Sequence, residues 1–334
     1  MGDWWAGFKQ SPYFPASVLV VILSAGAGLF AGSYTYAMAS PTPHHLPVAV
    51  VGVTAETVRG KAFVEGLEKS LEASLVLRFY PTYAEARQAI EEQRVFAVFV
   101  VRGADVNMDV SSASGASVAQ LLTEEAPRVA ARVGVRLTVR DVKPLQRADP
   151  RGLAIFYITL AAVIIGFTGA AQLSANAADL NAGERIAFTA VYAALGAFAI
   201  VAIVDWLLGA LDLPVPESWL ILALTTFTTG MVFTMFNTFL GRWAMLPTWG
   251  LMVLLGNPSS GGAVSWPLLP SPLGAIGRWL PPGASVNAQH TAVYFRGHQS
   301  LMPFLVLAGW ALVSCVVFLI WRQRHPGGRP RDHE

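Results

Sequence analysis

Seven consecutive residues, Gly256-Asn257-Pro258-Ser259-Ser260-Gly261-Gly262, gather small side chains, hydroxyls and one amide inside an otherwise apolar part of the chain. Glycine lets backbone approach backbone, and proline stops a helix. Such a run suits a place where the chain turns back within packed protein or beside a water-lined cavity. A second polar group, Thr225, Thr226, Thr228, Thr229, Thr234, Asn237 and Thr238, lies inside one apolar stretch. Threonine hydroxyls can bond backbone carbonyls one turn back. Two readings follow: a seam between helices, or the lining of a path, with Thr225, Thr229, Thr234 and Asn237 as its candidates. Asp205 is the one acid within an apolar stretch, and intramembrane carboxylates are functional candidates by default. It also lies near the end of its stretch beside Trp206, where an interfacial, solvated carboxylate is the other reading.

Catalytic chemistry has little support. The chain has no G-x-x-x-x-G-K-[ST] loop to cradle phosphates, so any ATP hydrolysis belongs to another subunit. His44-His45 is adjacent rather than at the i, i+4 spacing that puts two imidazoles on one helix face, and Glu91-Glu92 and Glu124-Glu125 read as solvated helix faces. Cys315 is the single cysteine, which rules out an intrachain disulfide or a thiolate metal site. No catalytic, metal-binding or cofactor-binding residue is expected. A net charge of +2 without a basic, aromatic-interleaved patch gives no reason to expect nucleic acid.

These residues sit in a chain of 334 residues, 54% hydrophobic and only 13% charged, with a mean hydropathy of +0.50. Soluble domains carry roughly 25% charged residues. Fourteen of the 23 Lys and Arg lie between Arg59 and Arg151, and 13 of the 21 Asp and Glu between Glu56 and Asp149. The pattern is a soluble insert in a lipid-soluble frame. Spans are expected at Pro15–Met38, Gly152–Gln172, Ile186–Leu208, Ser218–Leu240 and Leu301–Trp321. Crossing about 30 Å of hydrocarbon takes about 20 residues. The run Ala244–Leu255 is too short for that, so a further crossing must borrow from the Gly- and Pro-rich segment 256–300, which reads as a re-entrant pair of short helices or as an outer loop resting on the bilayer. Ala37-Met38-Ala39 looks like a signal-peptidase site, but the apolar run before it is far longer than a signal core, so the first span is expected to stay.

Residues 39–150 alternate strand and helix patterns: strands at Pro47–Val53, Leu75–Phe79, Val95–Val101, Met108–Ser111 and Val135–Val142, and helices at 58–71, 82–92 and Ala116–Arg132. Val95–Val101 is apolar throughout, as a central strand would be. The expected fold is therefore an α-helical polytopic membrane protein, with about six transmembrane helices and one small extracytoplasmic α/β domain inserted between helices 1 and 2. The segments are an interfacial stretch at 1–14 with Trp4, Trp5, Phe8 and Lys9, the first helix at 15–38, the insert at 39–150, helices 2–6 at 151–321, and a tail at 322–334.

Lys and Arg in short loops set orientation. With both termini cytoplasmic, Lys9, Arg185, Arg242, Arg322, Arg324, Arg329 and Arg331 fall inside, and only Arg278 and Arg296 fall in short outer loops. Gly28 and Gly32, with Ser24 on the same face, form a G-x-x-x-G pair suited to close helix contact, either with another span or with a second copy. Leu173–Arg185 is the longest inner loop between spans, polar enough to form a small helix that a cytoplasmic partner could push on.

Asp149-Pro150-Arg151-Gly152-Leu153, with Phe156-Tyr157, resembles the lead-in to the second span of ABC-2-type membrane proteins, closest to their phage-infection-protein branch. Gly256–Gly262 resembles the motif after the fifth span of the same group, and the layout of one span, a large outer domain and five more spans matches along essentially the whole chain. The resemblance implies a bacterial cell-membrane permease subunit that forms a homodimer and pairs with a cytoplasmic ATP-binding subunit. It would export lipid-like, drug or polymer substrates and touch membrane lipids. It places ATPase contact in the loop between spans two and three, here with only Asp179, Glu184 and Arg185 as charges. The same branch includes members without an assigned ATPase, which implies the alternative of a non-transporting membrane scaffold or receptor acting through its outer domain.

Overall fold

The computed structural model describes residues 11, 13–39, 43–51, 58–72 and 74–325. The interfacial residues Trp4, Trp5, Phe8 and Lys9, and the tail arginines 329 and 331, lie outside the described residues.

Five helices are long and apolar enough to cross a membrane, and they carry every expected long span. They are α1 (Tyr13–Met38), α5 (Ala154–Asn176), α6 (Ala182–Val201, extended by a π-helical turn Ala202–Leu207), α7 (Val215–Leu240) and α11 (Met302–Arg324). Their outer faces expose apolar side chains such as Leu195, Ile165 and Leu312, as helices in hydrocarbon do. Asp149 starts α5: its carboxylate accepts the Leu153 and Ala154 backbone N–H groups at 3.0 Å each, and Gly152 takes φ +66 to make the turn.

After α7 the chain reverses at Gly241, whose φ of 51 and ψ of −126 favour glycine. A short 3₁₀ turn leads to α8 (Met245–Trp249), which widens into a π-helical turn through Gly256. At about 1.5 Å per residue this arm covers about 18 Å, well short of the hydrocarbon thickness. The shortness expected of Ala244–Leu255 is thus present, and so is the pair of short helices: α9 (Ser271–Gly277) and α10 (Pro281–Tyr294). Twelve of the fourteen residues of α10 are buried. It packs between α5, α7, α11 and the end of the α8 arm.

The insert contains β1 (Leu46–Val51), α2 (Val58–Leu71), β2 (Leu75–Tyr80), α3 (Tyr83–Glu91), β3 (Ala97–Arg102), β4 (Asp105–Val110), α4 (Ala116–Val133) and β5 (Arg136–Asp141). The sheet order is β2-β1-β3-β4-β5, with only the β3–β4 pair antiparallel. The apolar strand β3 is central, as its composition requires. Thr82 caps α3 by accepting the Glu85 N–H at 3.2 Å. Tyr83 donates to Asp109 on β4, and Arg140 on β5 bonds both, so one polar cluster ties α3 to two strands. Burial, and then that carboxylate, raise the Tyr83 phenol above its ordinary value, so it stays a donor.

One sheet face packs against α2 and α4 through Phe63, Leu67, Phe99, Met108 and Leu122. The other face does not close on the insert's own helices alone. Ala49, Val51, Val98, Ala86 and Ile90 share one apolar cluster with Ile155, Ile158, Ala197, Leu222, Tyr294 and Phe295 of the helical frame. The α/β domain therefore sits on the end of the bundle through a common core. Polar contacts reinforce the seat: Gln146 and Asp212 bond each other twice at 2.7 and 3.2 Å, and Lys143 pairs with Glu91 while lying 4.9 Å over the Phe295 ring.

Candidate functional site

The GNPSSGG run organises the junction between the α8 arm, the short helix pair and the α/β domain. The Asn257 amide donates to the Tyr34 hydroxyl at 2.7 Å and holds α1, which otherwise rests on the frame through Phe30 against Trp249. Ser259 donates to the Leu255 carbonyl at 2.7 Å, and its own carbonyl accepts the Trp266 indole N–H at 3.2 Å. A Cβ on Gly277 would lie 1.7 Å from that same carbonyl, so α9 can approach only because residue 277 is glycine. Gly261 has φ +82, and a Cβ there would meet the Trp266 ring at 2.7 Å. Gly256 lies as close to the first turn of α10 at Pro282. The motif is a packing keystone, and one side of it is left open.

That open side forms a cleft of about 150 Å³ between the motif, the first turn of α4, the lead-in to α5, and α10. Ser260 and Gly261 line one wall, Arg151 and Gly152 a second, Asn287 and His290 a third, and Ala116 and Ser117 a fourth. Ser117 exchanges two hydrogen bonds of 3.0 Å with Ser265, joining α4 to the segment after the motif. Gln93, after α3, donates to Thr291 on α10 at 2.8 Å. A second cleft of about 300 Å³, lined by Glu92, Arg278 and His298, shares Gln93, Trp266 and Asn287 with the first. Asn287, His290 and the start of α4 went unremarked in the sequence. The signal available was an Asn and a His three residues apart in a Pro-rich apolar segment, which on a helix puts both on one face.

The other expected sites are placed elsewhere. Thr225, Thr228, Thr229 and Thr234 are fully or almost fully buried in α7. Thr225 bonds the Ile221 carbonyl and the Ser285 hydroxyl on α10 at 2.8 and 2.7 Å. Thr229 bonds the Thr225 and Thr226 carbonyls, and Thr234 the Gly230 carbonyl at 2.9 Å. Within one chain they form a helix seam, and they line neither cleft. Asn237 is half-buried one turn further on, and Asp205 is half-buried in the last turn of α6 beside exposed Trp206. No described hydrogen bond brings Asp205 to the threonines.

The loop expected to carry a small helix is a tight turn instead. Asn181 and Glu184 form a reciprocal capping box at the start of α6, at 2.9 and 3.0 Å. Arg185 is buried and donates to Ser174 Oγ at 2.8 Å and the Ala177 carbonyl at 3.0 Å. Arg322 reaches the Leu180 carbonyl at 3.2 Å. Glu184 and Arg185 are thereby committed to the turn, and Asp179 is left exposed on it. Gly28 and Gly32 are exposed on α1, and a Cβ on either meets nothing within 4 Å, so the contact with another span of the same chain is not made. Among the described residues no cluster of His, Cys, Asp and Glu could hold a metal ion. Compared with family models and with the curated proteins, the chain matches none of them.

Proposed function

We propose that this protein is the membrane subunit of an ABC-2-type exporter, moving lipid-like, drug or polymer substrates outward with energy from a separate ATPase. The observation that carries the reading is the short α8 arm followed by the short helix α9 and the buried α10, keyed by Gly256–Gly262, between a five-helix frame and a seated α/β domain. In this reading the arm and the helix pair together make a sixth crossing of the bacterial cell membrane. Both termini are cytoplasmic and the α/β domain is outside. Two copies meet along the open Gly28/Gly32 face of α1, and a path forms between copies rather than through one.

A specific observation favours a second reading, a non-transporting scaffold or receptor working through the α/β domain: the turn at 177–185 spends Glu184 and Arg185 on its own structure. Photocrosslinking from position 179 in intact cells separates the two. Capture of an ATP-binding subunit supports the exporter, and its absence with the protein present at normal level favours the scaffold.

A further inference from the structure

We propose that the cleft between Arg151, Ser260, Asn287 and the first turn of α4 is a recognition site for a phosphate group, carried by a membrane lipid or free in solution. This stands apart from the exporter reading, since a scaffold could hold the same ligand.

Four side chains around the cleft, Arg151, Asn287, His290 and Ser260, keep donors free. Arg151 is exposed and has no ion-pair or hydrogen-bond partner among the described residues. The side-chain amide of Asn287 and the ring nitrogens of His290 likewise have none, and both residues face the cleft from one side of α10. Ser260 Oγ accepts the Gly262 N–H at 3.3 Å, which leaves its hydroxyl proton to donate inward. The N-terminus of α4, eighteen residues long, opens on the same space with no side-chain cap. The backbone N–H groups of Ala116 and Ser117 have no described acceptor, and helix starts favour negative charge.

No acid lines this cleft. The acids nearest in sequence to its lining are committed elsewhere: Glu92 pairs with Arg94 at 2.7 Å, Asp109 pairs with Arg140, Asp141 accepts from Ser112 at 2.5 Å, and Asp149 caps α5. A cavity with a guanidinium, an amide, a hydroxyl, an imidazole and helix N–H groups converging from four walls, without a carboxylate, is matched by a tetrahedral anion. Phosphate takes several donors from different directions, with the arginine fork on two of its oxygens. The cleft also lies where the α/β domain meets the ends of the apolar helices, between the lead-in to α5 and the buried α10. A lipid headgroup at the bilayer surface and an ion arriving from solution can both reach that level.

The test uses the full-length protein in detergent, with two probes. One is radiolabelled inorganic phosphate in equilibrium dialysis. The other is short-chain phosphatidylglycerol, with diacylglycerol of the same chain length as the control lacking phosphate. Saturable binding of either probe is expected. Arg151→Ala should weaken it by roughly tenfold or more, the loss of one charge-assisted contact. Arg151→Lys should retain more than the alanine, and Arg147→Ala, exposed outside the cleft, should bind as wild type. Arg151 is exposed, so its variants should fold, and an unchanged elution profile checks this. Binding of phosphate alone assigns a free anion, and binding of the phospholipid but not diacylglycerol assigns a headgroup. The proposal is overturned if neither probe binds saturably, or if folded Arg151→Ala loses less than that.

Discussion

At Gly166, α5 crosses α7 so closely that a Cβ would fall 1.9 Å from Thr229 Oγ1 and 2.5 Å from the Thr226 carbonyl. The Tyr192 hydroxyl of α6 donates to the Gly166 carbonyl at 2.6 Å, completing a three-helix junction. Gly166→Val should therefore cost about 1–3 kcal/mol through forced separation of the helices, read as a fall in the thermal midpoint of the detergent-solubilised protein. Gly196→Ala, whose new Cβ meets only Ile165 at 3.8 Å, should leave that midpoint unchanged. Asp149→Ala should cost about 1 kcal/mol in the same assay, because two N–H groups at the start of α5 lose their acceptor. Residue chemistry was partly legible in the sequence. The threonines declared their self-satisfying bonds, and the Asp-Pro-Arg-Gly-Leu run, singled out by its resemblance to a span lead-in, leads into α5. The commitment of Arg185 did not show, since its burial depends on Ser174 and Ala177 folding back within one turn.

Helices and strands were read from period and punctuation, and long elements with strong period came through. The strand–helix alternation of residues 46–141 and the ends of α7 and α11 lie within a few residues of expectation. The break at Gly241 was legible too, with one span ending at Leu240 and a short run starting at Ala244, although α7 and the α8 arm form one nearly unbroken apolar stretch. What each element packs against was less legible than its existence. The G-x-x-x-G pair on α1 fitted another span of the same chain or a second copy, and the fold leaves that face open. Gly28→Leu together with Gly32→Leu should leave the thermal midpoint of the protomer intact yet shift crosslinked protein in membranes from dimer to monomer. Dimers that persist in the double variant would move the interface off α1.

For the molecule as a whole, the shared apolar core makes the α/β domain a dependent unit. Nothing in the alternating pattern of the insert distinguishes a face that meets helices of its own from one that meets the bundle. Residues 43–150 expressed alone should expose Ala49, Val51, Val98 and Ile90, bind a hydrophobic dye and self-associate on a sizing column, whereas a dye-silent monomer would make it independent. Orientation is a whole-molecule property too: in a Cys315→Ala background, Thr123→Cys should react with an impermeant thiol reagent from outside and Asp179→Cys only after permeabilisation. The central claim, an exporter subunit driven by a partner ATPase, is tested most directly by purifying the tagged protein in mild detergent, identifying what co-purifies and assaying ATP hydrolysis. The account predicts a stoichiometric subunit carrying a phosphate-cradling glycine loop, with vanadate-sensitive turnover. A homodimer with no ATP-binding partner and no turnover would contradict it.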